Sequence, residues 1–184
     1  MSKTILAFLG AALCLVAAAC ESSGEHARSA STLGDHRAVV YIVRHAEKQT
    51  GDDPALTADG TARAALLADY LSGEPVTEVW STDYARTRET AAPVAESHGL
   101  EVQLYEPEHA YRMADRMREK DGVILIVGHS NTIGDVASAF SGEEAGSDLD
   151  ESDYETLYWV TIDQDGEPQV YQSSYEGLRQ RVGR

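Results

Sequence analysis

The fold is decided by residues 38–60, which read AVVYIVRHAEKQTGDDPALTADG. The first six residues are a continuous apolar, β-branched run, which is typical of a strand buried on both faces of a parallel sheet. The run ends at two basic side chains, Arg44 and His45. Basic groups at the end of a buried strand are costly unless an anion meets them. The stretch therefore predicts a buried strand with an anion site at its carboxyl end.

The segments after this stretch alternate between helix and strand patterns, and the order changes only near the end. The alternation βαβαβαβα followed by a hairpin predicts a three-layer αβα domain with a mostly parallel central sheet and a C-terminal β-hairpin, over residues 38–175. The predicted helices are 56–73, 87–99, 107–122 and 131–142, the later strands are 76–81, 100–105 and 122–128, and the hairpin spans 154–175.

Two segments near the carboxyl end carry no clear element pattern. Residues 143–153, EEAGSDLDESD, are acidic and contain glycine, which predicts a solvated loop. Residues 176–184 are predicted to be a frayed C-terminal tail.

The amino terminus is typical of an export signal. Residues 1–20 read MSKTILAFLGAALCLVAAAC, with one lysine, an apolar stretch and then small residues before Cys20. The ending resembles a bacterial lipobox, apart from Ala17 where Leu is usual, and so predicts a signal peptide over 1–19 and lipidation at Cys20. An ordinary cleaved signal or an uncleaved anchor is the alternative. Residues 20–37 are predicted to be the lipidated N-terminus and a flexible tether, so we expect an exported, membrane-anchored lipoprotein of a bacterial cell envelope.

Composition excludes several kinds of site and partner. The net charge is −16, from 31 acidic residues against 15 Lys and Arg, which disfavours nucleic acid as a partner. Cys14 and Cys20 are the only cysteines, so the domain itself has no disulfide, thiolate metal site or thiol nucleophile. No carboxylate cluster with ligand spacing follows the strands, so we predict no metal and no cofactor.

Basic residues follow the predicted strands in a pattern that suits a phosphoryl group. His45 and His129 each follow a strand, Arg44 ends the first, and Arg86 or Arg88 follows the second. Guanidinium groups match phosphate oxygens in geometry and stay charged. One neutral imidazole can attack phosphorus while the other, protonated, holds an oxygen. A helix beginning near Asn131 would add backbone N–H groups to the phosphate site.

Four motifs together resemble the signature of the histidine phosphatase superfamily, which has the phosphoglycerate-mutase-like fold. They are VRHAEK at 43–48, PALTADG at 54–60, RTRETA at 86–91 and IVGHSN at 126–131. The resemblance implies that His45 is the phosphorylated nucleophile and that Arg44, Arg86 and His129 surround the phosphate. RHA in place of RHG is a mild departure. Arg88, two positions after Arg86, is predicted to be structural or at the rim.

The resemblance leaves the general acid open. Members of the family place a Glu after the third strand or an Asp directly after the second histidine, and here Ser130 occupies the latter position. Glu106 is the candidate at the former position, with Glu108 as the alternative. A substrate with a good leaving group, such as a phosphohistidine, needs little acid help, so the absence of any general acid is the third possibility.

The function predicted is a metal-independent phosphatase that hydrolyses a phosphomonoester or a phosphohistidine through a phosphohistidine on His45. Its partner would be a phosphorylated small molecule or a phosphoprotein. A mutase is disfavoured because the short connections leave little room for an inserted lid. Two alternatives are a non-catalytic lipoprotein that binds a phosphorylated ligand and a serine hydrolase that uses Ser130, since GHSNT is similar to a G-x-S-x-G elbow. Thr132 stands where that elbow requires glycine.

Overall fold

The computed structural model describes residues 32–146 and 148–182. The predicted signal peptide and Cys20 therefore lie outside the described residues. Six strands form one sheet in the order β3-β2-β4-β1-β5-β6. The strands are β1 Ala38–Arg44, β2 Val76–Ser81, β3 Val102–Leu104, β4 Gly122–Gly128, β5 Thr156–Ile162 and β6 Pro168–Ser174.

Strands β1 to β4 run parallel, whereas β5 pairs antiparallel with β1 and with β6. The predicted hairpin is therefore an antiparallel extension of a parallel sheet, and the predicted fold class is confirmed. The helices are α1 Ala58–Leu71, α2 Ala85–His98, α3 Arg112–Met117, α4 Ile133–Ser141 and α5 Tyr175–Val182, with a 3-10 turn at Pro107–His109.

The three layers follow from the two faces of β1. Val40 and Ile42 belong to the core that includes residues of α3 and α4. Val39 and Val43, which point the other way, belong to the core that includes residues of α1, α2 and α5. Because both faces of the strand are covered by apolar side chains, β1 reads as an unbroken apolar run and not as an alternation.

Residues at the helix ends have the local geometry that begins or ends a helix. The Thr57 side chain accepts a hydrogen bond from the backbone N of Gly60, which caps α1. Gly99 ends α2 with φ 66°, a left-handed conformation that favours glycine. Gly60 has a packing role too, because a Cβ there would lie 2.2 Å from the carbonyl oxygen of Glu47. The glycine thus lets α1 approach the segment that follows His45.

The end of the chain corrects one prediction. The predicted frayed tail is helical over its described residues, 176–182, since Tyr175–Val182 form α5. Tyr175 and Leu178 are buried in the core shared with α1, with exposed fractions of 1% and 4%. Their spacing of three places both on one face of a helix, and burial of that face holds the segment.

Other segments differ from prediction in extent. The predicted helix over 107–122 is a 3-10 turn followed by the six-residue α3, and β3 has only three residues. Part of the predicted tether lies against the domain, where the backbone N of Thr32 donates to Glu74 at 2.9 Å and that of Arg37 donates to the Ile162 carbonyl at 2.8 Å. Within the described part of the chain, no helix is both long enough and apolar enough to cross a membrane.

Candidate active site

The two histidines of the site are placed by the pairing of β1 with β4. Arg44 and Gly128, the last residues of these parallel strands, are register partners. The backbone N of His45 donates to the Gly128 carbonyl at 2.9 Å, so the ladder extends one residue beyond the strand. His45 and His129 therefore emerge side by side, and their ring centroids lie 5.6 Å apart.

His45 is held as a neutral imidazole with a fixed tautomer. It is 3% exposed, and its Nδ1 lies 2.8 Å from the carbonyl oxygen of Ala46. A carbonyl can only accept, so Nδ1 carries the proton and Nε2 keeps its lone pair. Burial, together with the positive charges of Arg44 and Arg86, lowers the pKa of His45 to about 3. The imidazole is thus unprotonated, with Nε2 free to act as a nucleophile.

His129 is also neutral in this structure, which differs from the protonated state expected for the second histidine. Burial and the nearby charges of Arg86 and Arg44 lower its pKa to about 4. The Thr82 hydroxyl donates to Thr87 Oγ1 at 3.0 Å, so it accepts from His129 Nε2 at 2.9 Å. The Nδ1 edge lies 3.5 Å from Arg86 Nη2 and is the edge open to a ligand.

Arg44 is buried, and part of its guanidinium group contacts other residues of the protein. Its Nη1 donates to the carbonyl oxygens of Asp150 and Asp153 at 2.9 and 2.8 Å, and its Nη2 lies 3.4 Å from Glu151 Oε2. The guanidinium stacks 4.3 Å from the centroid of the Tyr154 ring. Its Nε is buried and has no hydrogen-bond partner among the described residues. That N–H is therefore a donor without an acceptor.

Arg86 lies in the first turn of α2, with its side chain 17% exposed. It stacks 4.5 Å from the ring centroid of Tyr84, and its Nη1 lies 3.7 Å from Asp53 Oδ1. Its Nε, like that of Arg44, is buried and unpartnered within the described part of the chain. Buried donors of this kind are rare in folded proteins unless a ligand or water completes them.

These groups line one cavity of about 260 Å³. The predicted residues Arg44, His45, Arg86 and His129 all belong to its lining, and so do Ser130 and Asn131. The predicted helix over 131–142 begins at Ile133, with Thr132 at its N-cap. Ser130 has no hydrogen bond to a histidine among the described residues, so the geometry of a serine nucleophile is not formed. The remaining lining residues are Lys48, Tyr84, Pro107, Thr132 and Glu151.

The predicted general acids are not in this cavity. Glu106 lines a separate cavity with His109 and Arg116, and Glu108 is exposed on the 3-10 turn. The short β3 and the turn beginning at Pro107 explain the placement, since only Pro107 of this segment lines the cavity with the histidines. Arg88 pairs with Asp83 at the surface, as expected for a rim residue.

The described residues of the acidic stretch 143–153 form an exposed or partly exposed loop, as predicted, but Glu151 also lines the cavity and the loop contacts the site. The backbone N of Leu149 donates to the carbonyl of Ser130 at 3.0 Å, and the contacts of Arg44 with Asp150, Glu151 and Asp153 fix the following residues. No local sequence pattern predicts these contacts, because Arg44 and Asp153 are 109 positions apart. Sequence reasoning also missed Thr82, Tyr84 and Tyr154, which contact the predicted residues.

No cluster of three or more His, Cys, Asp or Glu side chains arranged to hold a metal ion occurs within residues 32–146 and 148–182. The described residues that line the cavity include three cationic side chains, Arg44, Lys48 and Arg86. The small residue after His45 is accommodated as Ala46, which is fully buried with Leu56 and Ala64. A methyl group thus fits where the related signature has glycine.

The chain is similar to known proteins in the part that builds this cavity. Residues 40–107 match the model of the histidine phosphatase superfamily, branch 1. A relative described as "Probable phosphoglycerate mutase GpmB", from Serratia proteamaculans (strain 568), is 41% identical over 71 residues, which are 34% of this chain and 33% of the relative. The chain thus spans about a third of the length of the curated relatives it matches.

Solved structures share the fold over a larger part of the chain. The protein histidine phosphatase SixA complexed with tungstate covers 76% of this chain and 99% of its own, with a TM-score of 0.59 and 18% identity. Phosphoserine phosphatase from Entamoeba histolytica in complex with 3-phosphoglyceric acid covers 77% of this chain and 99% of its own, with a TM-score of 0.61 and 16% identity. At such identities the likeness concerns the fold.

Proposed function

We propose that this chain is a metal-independent phosphatase of the histidine phosphatase superfamily, whose model matches residues 40–107. It hydrolyses a phosphomonoester or a phosphohistidine through a phosphohistidine intermediate on His45. The observation that carries the proposal is the neutral His45 beside two guanidinium groups whose buried Nε atoms have no partner among the described residues. A phosphoryl dianion is the ligand that accepts hydrogen bonds from both Nε donors and offers its phosphorus to the His45 nucleophile.

The first chemical step is attack by the Nε2 lone pair of His45 on phosphorus. The N–P bond forms as the bond to the leaving oxygen breaks. The negative charge on the phosphoryl oxygens repels the lone pair of the approaching imidazole. The positive charges of Arg44 and Arg86 offset the negative charge of these oxygens in the transition state. Dispersing the charge locally matters in a protein whose net charge is −16.

In the second step, water attacks the phosphohistidine and releases inorganic phosphate, which restores neutral His45. Splitting hydrolysis into two transfers replaces one difficult displacement by two easier ones. His129 contributes its Nδ1 edge next to Arg86. A bound dianion favours the protonated form of that ring, which then donates to a phosphoryl oxygen.

Hydrolysis is favoured over phosphoryl transfer between substrates by the access of water. The residues between β3 and β4 comprise only the 3-10 turn, the short α3 and their connections, so no inserted domain covers the cavity within the described part of the chain. Glu151, at its edge, has 82% of its side chain exposed. A mutase must protect its phosphorylated intermediate from water, and the described residues leave this cavity open to solvent.

The relatives and neighbours suggest the kind of ligand. Their descriptions name phosphoserine, 3-phosphoglyceric acid and a protein histidine phosphatase. The proposed partner of this chain is accordingly a phosphorylated small molecule or a phosphoprotein. We propose further that the protein is exported and anchored to a membrane of the bacterial envelope by a lipid on Cys20.

The test is hydrolysis of p-nitrophenyl phosphate by the purified full-length protein. Wild type and the control variant His109→Ala, which alters an exposed histidine on the 3-10 turn, should turn over equally in the presence of EDTA. His45→Ala should abolish turnover and keep the far-ultraviolet circular dichroism of the wild type. A folded wild-type protein that binds phosphate without turnover supports the non-catalytic alternative, and a loss on Ser130→Ala alone supports a serine hydrolase.

A further inference from the structure

The proposed reaction needs a proton for its leaving group, and neither predicted acid lines the cavity. A phosphomonoester of an alcohol leaves as an alkoxide, which is a strong base and departs slowly unless a positioned acid protonates it. Of the described residues that line the cavity, Glu151 alone carries a carboxylate. Because Glu151 stands among other acidic residues, the sequence alone does not distinguish it as a candidate for the site.

The backbone around Glu151 is held on both sides. The carbonyl oxygens of Asp150 and Asp153 accept hydrogen bonds from Nη1 of the buried Arg44. The backbone N of Leu149 donates to the carbonyl of Ser130, directly after His129. This segment therefore bridges the ends of β1 and β4, where both histidines emerge. A backbone fixed by such contacts keeps the residue at position 151 next to the phosphate site.

The carboxylate itself faces the group that would bind phosphate. Glu151 Oε2 lies 3.4 Å from Arg44 Nη2, and its side chain is 82% exposed. It is therefore at the mouth of the cavity, whereas His45 is buried at 3% exposure. In an in-line displacement the leaving oxygen is opposite the nucleophile, which is the side toward the mouth.

We propose that Glu151 is the general acid and base of the reaction, an inference that rests on the proposed phosphatase function. A phosphoryl dianion seated on Arg44 brings like charge next to the carboxylate, and like charges at close range favour the neutral, protonated form of one partner. In the proposed reaction, Glu151 carries the proton that the leaving group requires.

The protons and electrons balance over the two steps. As His45 Nε2 forms its bond to phosphorus, the electron pair of the P–O bond passes to the leaving oxygen, which takes the proton from the Glu151 carboxyl group. In the second step the Glu151 carboxylate accepts a proton from the attacking water. The oxygen bonds to phosphorus, the N–P pair returns to His45, and Glu151 holds its proton again.

The test compares two monoesters of similar size, p-nitrophenyl phosphate and benzyl phosphate. Nitrophenolate leaves without a proton, whereas the benzyl alkoxide needs one. The variant is Glu151→Gln in the full-length protein, and the matched control is Glu106→Gln, which makes the same change in the separate cavity. The quantity measured is kcat/KM, which reports on the steps through P–O cleavage.

Glu151→Gln should lower kcat/KM for benzyl phosphate more than kcat/KM for p-nitrophenyl phosphate, by a factor on the order of 10²–10⁴, the range typical of general acid catalysis. Glu151→Asp should recover part of the loss, and Glu106→Gln should match the wild type on both esters. An equal loss on both esters, as expected if Glu151 merely positions Arg44, contradicts the proposal, and so does no loss on either. A wild-type protein inactive on both esters instead overturns the phosphatase function, and with it this role.

Discussion

The ring centroids of His45 and His129 lie 5.6 Å apart with an interplanar angle of 67°. The separation follows from strand register, since the preceding residues Arg44 and Gly128 are partners in the parallel pairing of β1 with β4. Both rings are buried among cationic groups, and burial is the main reason that the pKa of each is well below the usual value. The site therefore offers two neutral imidazoles and two guanidinium groups to one ligand.

The two arginines should respond differently to replacement by alanine. Each loss should reduce transition-state stabilisation by about 2–4 kcal/mol, the size seen when one preorganised donor is removed. Arg44→Ala should also lower the free energy of unfolding, because it leaves the carbonyls of Asp150 and Asp153 without their donor. Arg86→Ala should affect stability much less. Steady-state kinetics and urea unfolding measure the two effects.

Arg88→Ala is the matched control for these arginines, since Arg88 pairs only with Asp83 at the surface in the described structure. It should keep wild-type kinetics. Equal kinetic effects of Arg86→Ala and Arg88→Ala would argue against the placement of the phosphate.

Stability should depend on pH through His45. Its pKa is about 3 in the folded protein against an ordinary 6.5, so between these values the unfolded chain binds a proton that the folded protein does not. Stability contributed by the neutral ring is present above pH 6.5 and is lost as the pH falls toward 3. His45→Asn removes the titrating group.

The measurement is the urea midpoint of wild type and His45→Asn at several pH values. The difference should shift in favour of the variant as the pH falls from 6.5. A difference that stays constant over this range would show that His45 titrates alike in the folded and unfolded states.

The close approach of α1 to the segment after His45 should be sensitive to one methyl group. In Gly60→Ala the Cβ would lie 2.2 Å from the backbone oxygen of Glu47, so the helix must shift. Overpacking of this kind typically costs about 1–3 kcal/mol, which thermal or urea unfolding would detect. Gly73→Ala is the control, because a Cβ there meets nothing within 4 Å. Equal stability of the two variants would contradict the contact.

Lipidation at Cys20 predicts a change of location on mutation. Two or more acyl chains, at about 0.8 kcal/mol per buried methylene, hold a protein stably in a membrane. Cys20→Ala should release the protein into a soluble fraction or leave an unprocessed precursor. Membrane fractionation measures where the variant is located, and intact mass spectrometry measures its mass. If the variant keeps both the mature mass and the membrane partition of the wild type, the anchor is elsewhere.

Much of the fold could be predicted because its signals are local. The apolar runs of β1 and β4 are buried on both faces and so leave a continuous pattern, and Thr57 and Gly99 mark helix ends through their own backbone geometry. That Arg44, His45, Arg86 and His129 line one cavity could also be predicted. Strand ends in a parallel sheet meet at one edge, so residues far apart in sequence converge there.

What could not be predicted depends on contacts between distant residues. The acidic stretch reads as solvated, and nothing in it indicates that two of its carbonyl groups accept hydrogen bonds from Arg44, 106 and 109 positions away. Glu106 was misplaced because β3 is shorter than its apolar pattern, and only Pro107 of the following turn reaches the cavity. The tail after residue 175 has few apolar residues, and its helix is stabilised because Tyr175 and Leu178 pack in the apolar core.

The central claim is that His45 takes the phosphoryl group covalently, and rapid quench tests it most directly. Full-length protein is mixed with radiolabelled phosphoester, quenched in base within milliseconds, and digested for mass spectrometry. The account predicts an acid-labile, base-stable label on His45 that forms and decays at rates compatible with turnover, and that is absent from His45→Ala. Product release without label on His45, or turnover of His45→Ala at the wild-type rate, would contradict it.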